Sequence, residues 1–213
     1  MRSFILPFSR FLKSCLLAFG SLLAMPVFAA DDLQKVISDL DSFSASFEQT
    51  LYDADSVPLQ TTQGTISLKR PGRFNWQYTD PATQEIIADG TRIWLYDKEL
   101  EQVTVNKIDD RIAGTPLSLL MGTAPLAETF SVKSVGESEG IEWYELTPKG
   151  PESDFQLVFI GLRGEALAAM ELRDKFGQAT QIIFSDFIAN SELDDALFEF
   201  NAPEGVDVIG LDE

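Results

Sequence analysis

The side chains that carry most enzyme chemistry are largely missing from this sequence. The 213-residue chain contains no histidine and a single cysteine, Cys15, beside 34 acidic and 16 basic residues. Without an imidazole, neither a Ser-His-Asp triad nor a Cys-His nucleophile pair can form. An ordinary zinc site would lack its usual His and Cys ligands. The composition therefore argues against catalysis that depends on histidine and against zinc chemistry.

Carboxylates remain as candidates for acid–base chemistry. Several of them are close neighbours in sequence: Asp53/Asp55, Asp109/Asp110, Asp194/Asp195 and Asp212/Glu213. None follows the calcium-loop pattern of a central glycine and a terminal glutamate, so we expect no metal and no cofactor. A glycosidase needs only two carboxylates at the right separation. An exported hydrolase that uses a carboxylate pair therefore stays open as an alternative.

The segment 69–78, KRPGRFNWQY, places large aromatic side chains at alternate positions. In a strand, Phe74, Trp76 and Tyr78 share one face. Such a face lies either against the protein's own core or against an apolar ligand. Arg70 comes just before it and is either a surface residue or a guanidinium at the mouth of a cavity, where it would offer five donors.

The N-terminus has the pattern of a secretory signal peptide. Three basic residues and no acidic one precede the apolar run 16–29, LLAFGSLLAMPVFA, which is short for a membrane span and ends in small residues. We expect cleavage after Ala29, with Ala30 as the alternative. The chain then divides into a signal peptide, 1–29, and one domain, 30–213.

The same pattern decides the expected compartment. Cys15 precedes the apolar run, whereas a lipid-attachment cysteine would follow it, so we expect Cys15 to be removed with the signal peptide. The net charge of −18 disfavours nucleic acid, because phosphate neutralisation needs Lys and Arg, and disfavours anionic membrane surfaces. We expect an exported, soluble protein that moves freely.

Hydrophobic periodicity predicts one long helix followed by a sheet. The apolar positions of 32–51 recur at steps of three and four, which predicts an amphipathic helix of about five turns: Leu33, Val36, Ile37, Leu40, Phe43, Phe47 and Leu51. After it, the period changes to two. The predicted strands are 64–69, 74–78, 84–89, 92–97, 101–106, 130–135, 142–147, 155–162, 167–173 and 180–187.

These strands have short connections, and Asp89-Gly90 between two of them is a hairpin signal. We expect a mainly β protein with some helices (α+β), a long and strongly curved antiparallel sheet. Its inner face should carry Leu68, Phe74, Trp76, Tyr78, Ile86, Ile93 or Trp94, Tyr144, Phe159, Met170 and Phe184.

A short helix should interrupt the sheet at 115–122, TPLSLLMG. Thr115 suits an N-cap, Pro116 the first helical position and Gly122 the stop. A further turn or two is expected within 123–129. The segment is apolar nearly all round, so it is either a buried turn or a lid over a cavity, with the lid residues Leu117, Leu119, Leu120 and Met121.

The order of motifs along the chain resembles the LolA family of periplasmic lipoprotein carriers. The matching motifs are FSASFEQ (43–49), Gly64, KRPGRFNWQY (69–78), the P-x-x-Q-x-I-x-x-D-G-x-x-x-W-x-Y pattern (81–96), EQVTV (101–105), TPLSLLMG (115–122), LTPK (146–149), D-x-x-G-Q-x-T (174–180) and FEFNAPEGVDVI (198–209). The family's fold is an incomplete, curved antiparallel β-barrel that is covered by helices and encloses an apolar cavity.

The resemblance implies a periplasmic monomer, and it implies a function as well. Such a carrier binds the acyl chains of outer-membrane lipoproteins, receives them from an inner-membrane ABC-type complex and delivers them to the outer-membrane receptor LolB. LolB itself is anchored through an acylated cysteine. The alternatives are the hydrolase named above and a general envelope lipid-binding module.

By position, Arg70 matches the arginine that latches the lid of the empty carrier, and Phe74 matches an aromatic residue linked to cargo exchange. We expect the cavity lining to be Phe43, Phe47, Leu68, Phe74, Trp76, Tyr78, Trp94 and Met170.

Overall fold

The described part of the chain folds into one large sheet with few helices. The computed structural model describes residues 30–81, 83–108, 120–121, 125–150 and 153–210. The strands are β1 Ser42–Tyr52, β2 Pro58–Lys69, β3 Arg73–Asp80, β4 Gln84–Asp89, β5 Arg92–Asp97, β6 Gln102–Lys107, β7 Phe130–Ser138, β8 Ile141–Pro148, β9 Phe155–Arg163, β10 Ala166–Asp174, β11 Ala179–Ala189 and β12 Asp207–Gly210. Helix α1 spans Ala30–Ser38, α2 spans Leu126–Thr129, and a 3-10 helix spans Asp195–Phe198.

The twelve strands form one sheet in the order β12-β6-β5-β4-β3-β2-β1-β11-β10-β9-β8-β7. Most neighbours are consecutive in sequence and antiparallel, as short turns require. The exceptions are β1 with β11, which are antiparallel and join the two halves, and β12, which runs parallel to β6. The sheet stays open, with β7 and β12 at its edges. This confirms the mainly β, half-barrel fold class.

The predicted helix over 32–51 is wrong beyond its first half. Helix α1 ends at Ser38, and β1 begins at Ser42. Phe43, Phe47 and Leu51 are four positions apart, a spacing that fits one face of a strand as well as one face of a helix. Serine at alternate positions also favours the strand, because it is a poor helix former.

The segment between α1 and β1 is bonded to Asn190, just after β11. The Asn190 side-chain oxygen accepts from the Asp41 N–H at 2.8 Å, and the Asn190 backbone N–H donates to Ser42 O at 2.7 Å. Among the described residues, no helix has the length and apolar composition to cross a membrane.

The other predicted strands are present, several of them longer than expected. The Asp89-Gly90 hairpin is confirmed. Gly90 has φ +99°, a conformation that glycine adopts readily. One carboxylate oxygen of Asp89 accepts from the backbone N–H groups of Thr91 and Arg92, both at 2.7 Å. Strand β12 and the 3-10 helix were not predicted.

The core covers one face of the sheet, here called the inner face. Helix α1 contributes Leu33 and Ile37, and the segment after it Leu40, to a single buried cluster with residues from β1, β2, β3 and β8 to β11. Of the predicted inner-face residues, the following are buried in this cluster: Leu68, Phe74, Trp76, Tyr144, Met170 and Phe184. Tyr78, Ile86 and Ile93 pack against it. Phe159 lies on the other face, where it pairs with Glu145 and Glu171 and contacts the Arg173 guanidinium.

A second apolar cluster occupies the outer face. Ile87, Trp94 and Val105 are cross-strand neighbours there. The segment after β11 runs across them and places the Phe200 ring 6.1 Å from the Trp94 ring. Trp94 is therefore wrong as an inner-face residue, and Ile93 occupies that position. Because this strand has apolar residues on both faces, the alternation of its sequence does not show which face points to the core.

Candidate ligand surface and its arginine contact

Aromatic rings from β1 and β3 form a continuous wall on the inner face. The Phe47 ring centroid lies 4.7 Å from Trp76 and 5.4 Å from Tyr78, and the last pair meets edge-on at 88°. Trp76 and Tyr78 are 6.3 Å apart. Such tilted and edge-on contacts are the preferred geometries of aromatic pairs. The pleat that the alternation predicted therefore builds one apolar surface from three rings.

Gly64 on β2 makes room for this wall. It lies opposite Phe47 on one side and Tyr78 on the other. A Cβ atom built there would come within 1.9 Å of Gln77 O and 2.7 Å of the Phe47 ring. Only glycine permits this close approach.

Arg70 ties the β2–β3 turn to the segments that cover the inner face. Its Nε donates to Leu120 O at 2.9 Å, and its Nη1 donates to Ile37 O near the end of α1. Its backbone N–H donates to Asp41 O at 2.8 Å. Burial lowers the pKa of Arg70, and the charge of Asp41 opposes that shift. A guanidinium that donates to carbonyls of two covering segments fits a latch.

The covering segment is described only at Leu120 and Met121, which are helical and fully buried in the core cluster. The Gly72 N–H donates to Met121 O at 3.3 Å, so the turn after Arg70 contacts the segment as well. The predicted lid residues Leu117 and Leu119 lie outside the described residues. Helix α2 confirms the extra turn that was expected within 123–129.

The inner face becomes polar toward the far end of β1, β2 and β3. The Tyr78 hydroxyl donates to Gln49 Oε1 at 3.2 Å. Burial raises the pKa of Tyr78. A cavity of about 390 Å³ opens here, lined by Gln49, Leu51, Gln60, Thr62, Tyr78, Thr83, Gln84, Asp97 and Thr180.

The structure brings seven of the eight predicted lining residues to the inner face. Six of these are buried: Phe43, Phe47, Leu68, Phe74, Trp76 and Met170. Tyr78 is half-buried, and Trp94 lies on the outer face. That the seven contact a ligand remains a prediction.

Sequence reasoning missed a set of contacts on the outer side of the same turn. Asp195 accepts from Lys69 Nζ at 2.5 Å and from Arg73 Nη1 at 2.8 Å. The side-chain amide of Asn75 donates to Leu197 O at 2.8 Å. The signal was present, since Lys69 and Arg73 flank the turn and Asp195 belongs to a noted acidic pair. Only the fold shows that they meet.

The acidic pairs have structural roles where they are described. Asp53 Oδ1 accepts from the N–H groups of Asp55 and Val57, at 3.0 and 2.8 Å, and closes the β1–β2 turn. Asp194 caps the 3-10 helix through the Ala196 N–H. The pairs at 109–110 and 212–213 lie outside the described residues. Within the described ranges, no three acidic side chains are grouped so as to hold a metal ion.

Known proteins resemble this chain over most of its length. The family described as "Outer membrane lipoprotein carrier protein LolA" matches residues 38–201. A protein of Nitrosospira multiformis is 42% identical over 178 residues, 83% of this chain and 86% of that protein. A protein of Methylococcus capsulatus is 40% identical over 176 residues, 83% of this chain and 85% of that protein. Both are named outer-membrane lipoprotein carrier protein.

A solved structure gives independent support for the fold. An uncharacterized conserved protein from Thermus thermophilus superposes with a TM-score of 0.54 at 13% sequence identity. The match covers 84% of this chain and 96% of that chain. At this identity the likeness concerns the fold alone.

Proposed function

This chain belongs to the LolA family of outer-membrane lipoprotein carrier proteins, and we propose that it carries lipoproteins by holding their acyl chains against the inner face. It acts as a non-enzymatic chaperone in the periplasm. The observation that supports this most is the Arg70 contact. One half-buried guanidinium holds two separate segments, at Ile37 and Leu120, over an apolar aromatic surface.

The contact gives the carrier a way to release cargo. Each methylene removed from water contributes about 0.8 kcal/mol, so ten buried methylenes contribute about 8 kcal/mol before ordering costs. Such a ligand would be hard to hand on. When Leu120 and Met121 pack on the inner face and Arg70 bonds their segment, the closed state competes with the acyl chains. Net affinity falls, and release needs no ATP at the carrier.

We propose that cargo arrives from an ATP-driven complex of the inner membrane and leaves to the receptor LolB at the outer membrane. The donor step supplies the energy that opens the latch. The receptor step proceeds downhill when LolB holds acyl chains more tightly than the carrier does. Transfer therefore runs from the carrier to LolB because LolB has the higher affinity for the acyl chains, and it needs no chemical reaction at the carrier.

The experiment is extraction and transfer. Delipidated protein is incubated with energised inner-membrane vesicles that contain a lipoprotein, and the lipoprotein in the supernatant is measured with and without LolB. We expect the wild type to extract lipoprotein and pass it to LolB. We expect Arg70→Leu to extract it but to release it several-fold more slowly, because the competing closed state is weakened.

Two variants sharpen the result. Arg70→Lys keeps the charge but loses the fixed fork of donors, so transfer should be intermediate. Arg163→Leu removes an exposed arginine at the end of β9 and should behave as wild type. Normal transfer by Arg70→Leu would contradict the latch. Failure of the wild type to extract lipoprotein would contradict the carrier function, and binding of lipid without hand-off would favour a general lipid-binding module.

A further inference from the structure

The inner face of β1 and β2 changes from apolar to mostly polar side chains, with Leu51 as an apolar exception beyond the change. On β1 the boundary falls between Phe47 and Gln49, and on β2 it falls between Ile66 and Thr62, with Gly64 between them. These positions are adjacent, since Phe47 pairs with Gly64 and Gln49 pairs with Thr62. The boundary therefore crosses neighbouring strands as one line and is a property of the surface.

Tyr78 belongs to both sides of this boundary. Its ring contacts Phe47 in the aromatic wall, and its hydroxyl donates to Gln49 in the polar cavity of about 390 Å³. A molecule lying along the aromatic wall would reach the cavity without leaving the inner face. The cavity is thus a continuation of the proposed acyl-chain surface.

The cavity is hydrogen-bonding but not cationic. Three glutamine amides and three threonine hydroxyls line it, together with Tyr78, Leu51 and the carboxylate of Asp97. Lysine and arginine are absent from its described lining. Phosphate groups are recognised in proteins mainly by Arg, Lys or groups of backbone N–H donors, whereas amides and hydroxyls suit uncharged carbonyl and N–H groups.

One buried polar atom of the cavity lining, Thr62 Oγ1, lacks a partner among the described residues. The Thr62 residue is 9% exposed. A buried donor or acceptor without a partner costs about 1–3 kcal/mol, so the isosteric valine would be the more stable choice at this position. A hydroxyl at this position is explained if the ligand supplies its hydrogen-bond partner.

We propose that this polar cavity binds the uncharged linkage region of the cargo, the ester and amide groups that join the acyl chains to the peptide, while the chains lie along the aromatic wall. The inference rests on the proposed function. It gives the carrier a means of selection, because a phospholipid offers the same acyl chains but places an anionic phosphate where the cavity has amides and a carboxylate.

The first test compares two synthetic probes on the purified protein: a triacylated lipopeptide with ester-linked chains, and its analogue with ether-linked chains, which lacks the ester carbonyls. We expect the wild type to bind the ester form about two- to tenfold more tightly, as one or two neutral hydrogen bonds allow. The double variant Gln49→Leu, Thr62→Val should bring that ratio to about one, because the ester carbonyls lose their hydrogen-bond partners.

Thr61→Val is the matched control. Thr61 is exposed, and its hydroxyl lies 3.2 Å from that of Thr50 on the opposite face, so the ratio should stay as in the wild type. Thr62→Ser retains the hydroxyl, so its ester-to-ether affinity ratio should also stay as in the wild type. Because Thr62 Oγ1 has no partner in the described structure, Thr62→Val should not lower the urea midpoint.

A gain-of-function test examines the charge argument. Gln84→Lys introduces a cation into the cavity and should let phosphatidylglycerol compete with the lipopeptide, which the wild type should resist. An unchanged ester-to-ether ratio in the double variant, or effective competition by phosphatidylglycerol in the wild type, would overturn the inference while lipopeptide binding itself still supports the carrier function. If neither the wild type nor Arg70→Leu, whose closed state is weakened, binds either lipopeptide, the carrier function fails.

Discussion

At the scale of single residues, Gly64 has the clearest structural requirement. Gly64→Ala would place a methyl group 1.9 Å from Gln77 O and 2.7 Å from the Phe47 ring. Backbone and a packed ring cannot both move cheaply, so we expect a loss of at least about 1–3 kcal/mol in the free energy of unfolding. Urea unfolding measures it. Gly150→Ala, where nothing lies within 4 Å, is the control, and an equal loss there would contradict the explanation.

Tyr144 gives a prediction about pH. Burial, with the nearby charges of Glu142 and Asp32, raises the pKa of Tyr144 to about 12. The folded state therefore keeps a proton that the unfolded state has lost above about pH 10. This contribution to stability is complete below pH 10 and is lost as the pH rises toward 12, about 1 kcal/mol by pH 11.

The measurement compares urea unfolding at pH 9 and pH 11. Tyr144→Phe should lose less stability between these values than the wild type does. Tyr52→Phe, which changes a half-exposed tyrosine, should follow the wild type. If Tyr144→Phe loses as much stability between pH 9 and pH 11 as the wild type does, other groups cause the loss.

At the scale of elements, the β2–β3 turn is held from two sides. Arg70 bonds the covering segments on the inner side, and Asp195 bonds Lys69 and Arg73 on the outer side. Asp195→Asn should weaken the attachment of the 3-10 helix. We expect faster hydrogen exchange at the Leu197 and Glu199 amides, which donate to Asp194 O and Ala196 O, with β1 and β2 unchanged.

Glu192→Gln is the control for this prediction, because it removes one negative charge from an exposed position of the same segment. The pKa of Asp195 is lowered by its hydrogen bond from Lys69 and by the nearby cations. The two ion pairs are therefore present at neutral pH and weaken as the pH falls through that lowered value. Equal exchange in both variants would indicate a general charge effect.

The strands and the turn at Asp89-Gly90 were predictable because period two and turn residues are local signals. The start of β1 was not, since the spacing of Phe43, Phe47 and Leu51 fits either periodicity. Trp94 was misplaced because its strand is apolar on both faces, and the aromatic partner that covers it, Phe200, is far away in sequence. The Arg70 contact was predicted only from the family resemblance, because its partners are backbone carbonyls, which the pattern of side chains in a sequence does not identify.

At the scale of the whole molecule, charge should oppose the fold. A net charge of −18 repels itself in a compact state. Raising NaCl from about 10 mM to about 150 mM shortens the screening length from about 30 Å to about 8 Å, so we expect the urea midpoint to rise. The rise should be smaller near pH 4.5, where carboxylates begin to take up protons. A falling midpoint at pH 7 would mean that specific ion pairs outweigh the repulsion.

The central pairing of β1 with β11 can form only after nearly the whole chain is available. Asp41 and Asn190, which bond beside this pair, are 149 positions apart. The chain becomes available from its N-terminus onward, so Phe43 and Phe47 appear long before Ile182 and Phe184, and the first half of the sheet waits with an unpaired edge. Long-range pairing of this kind folds slowly, and such an edge is prone to wrong pairing. This lipoprotein carrier thus passes through an interval in which its own aromatic wall has no cover.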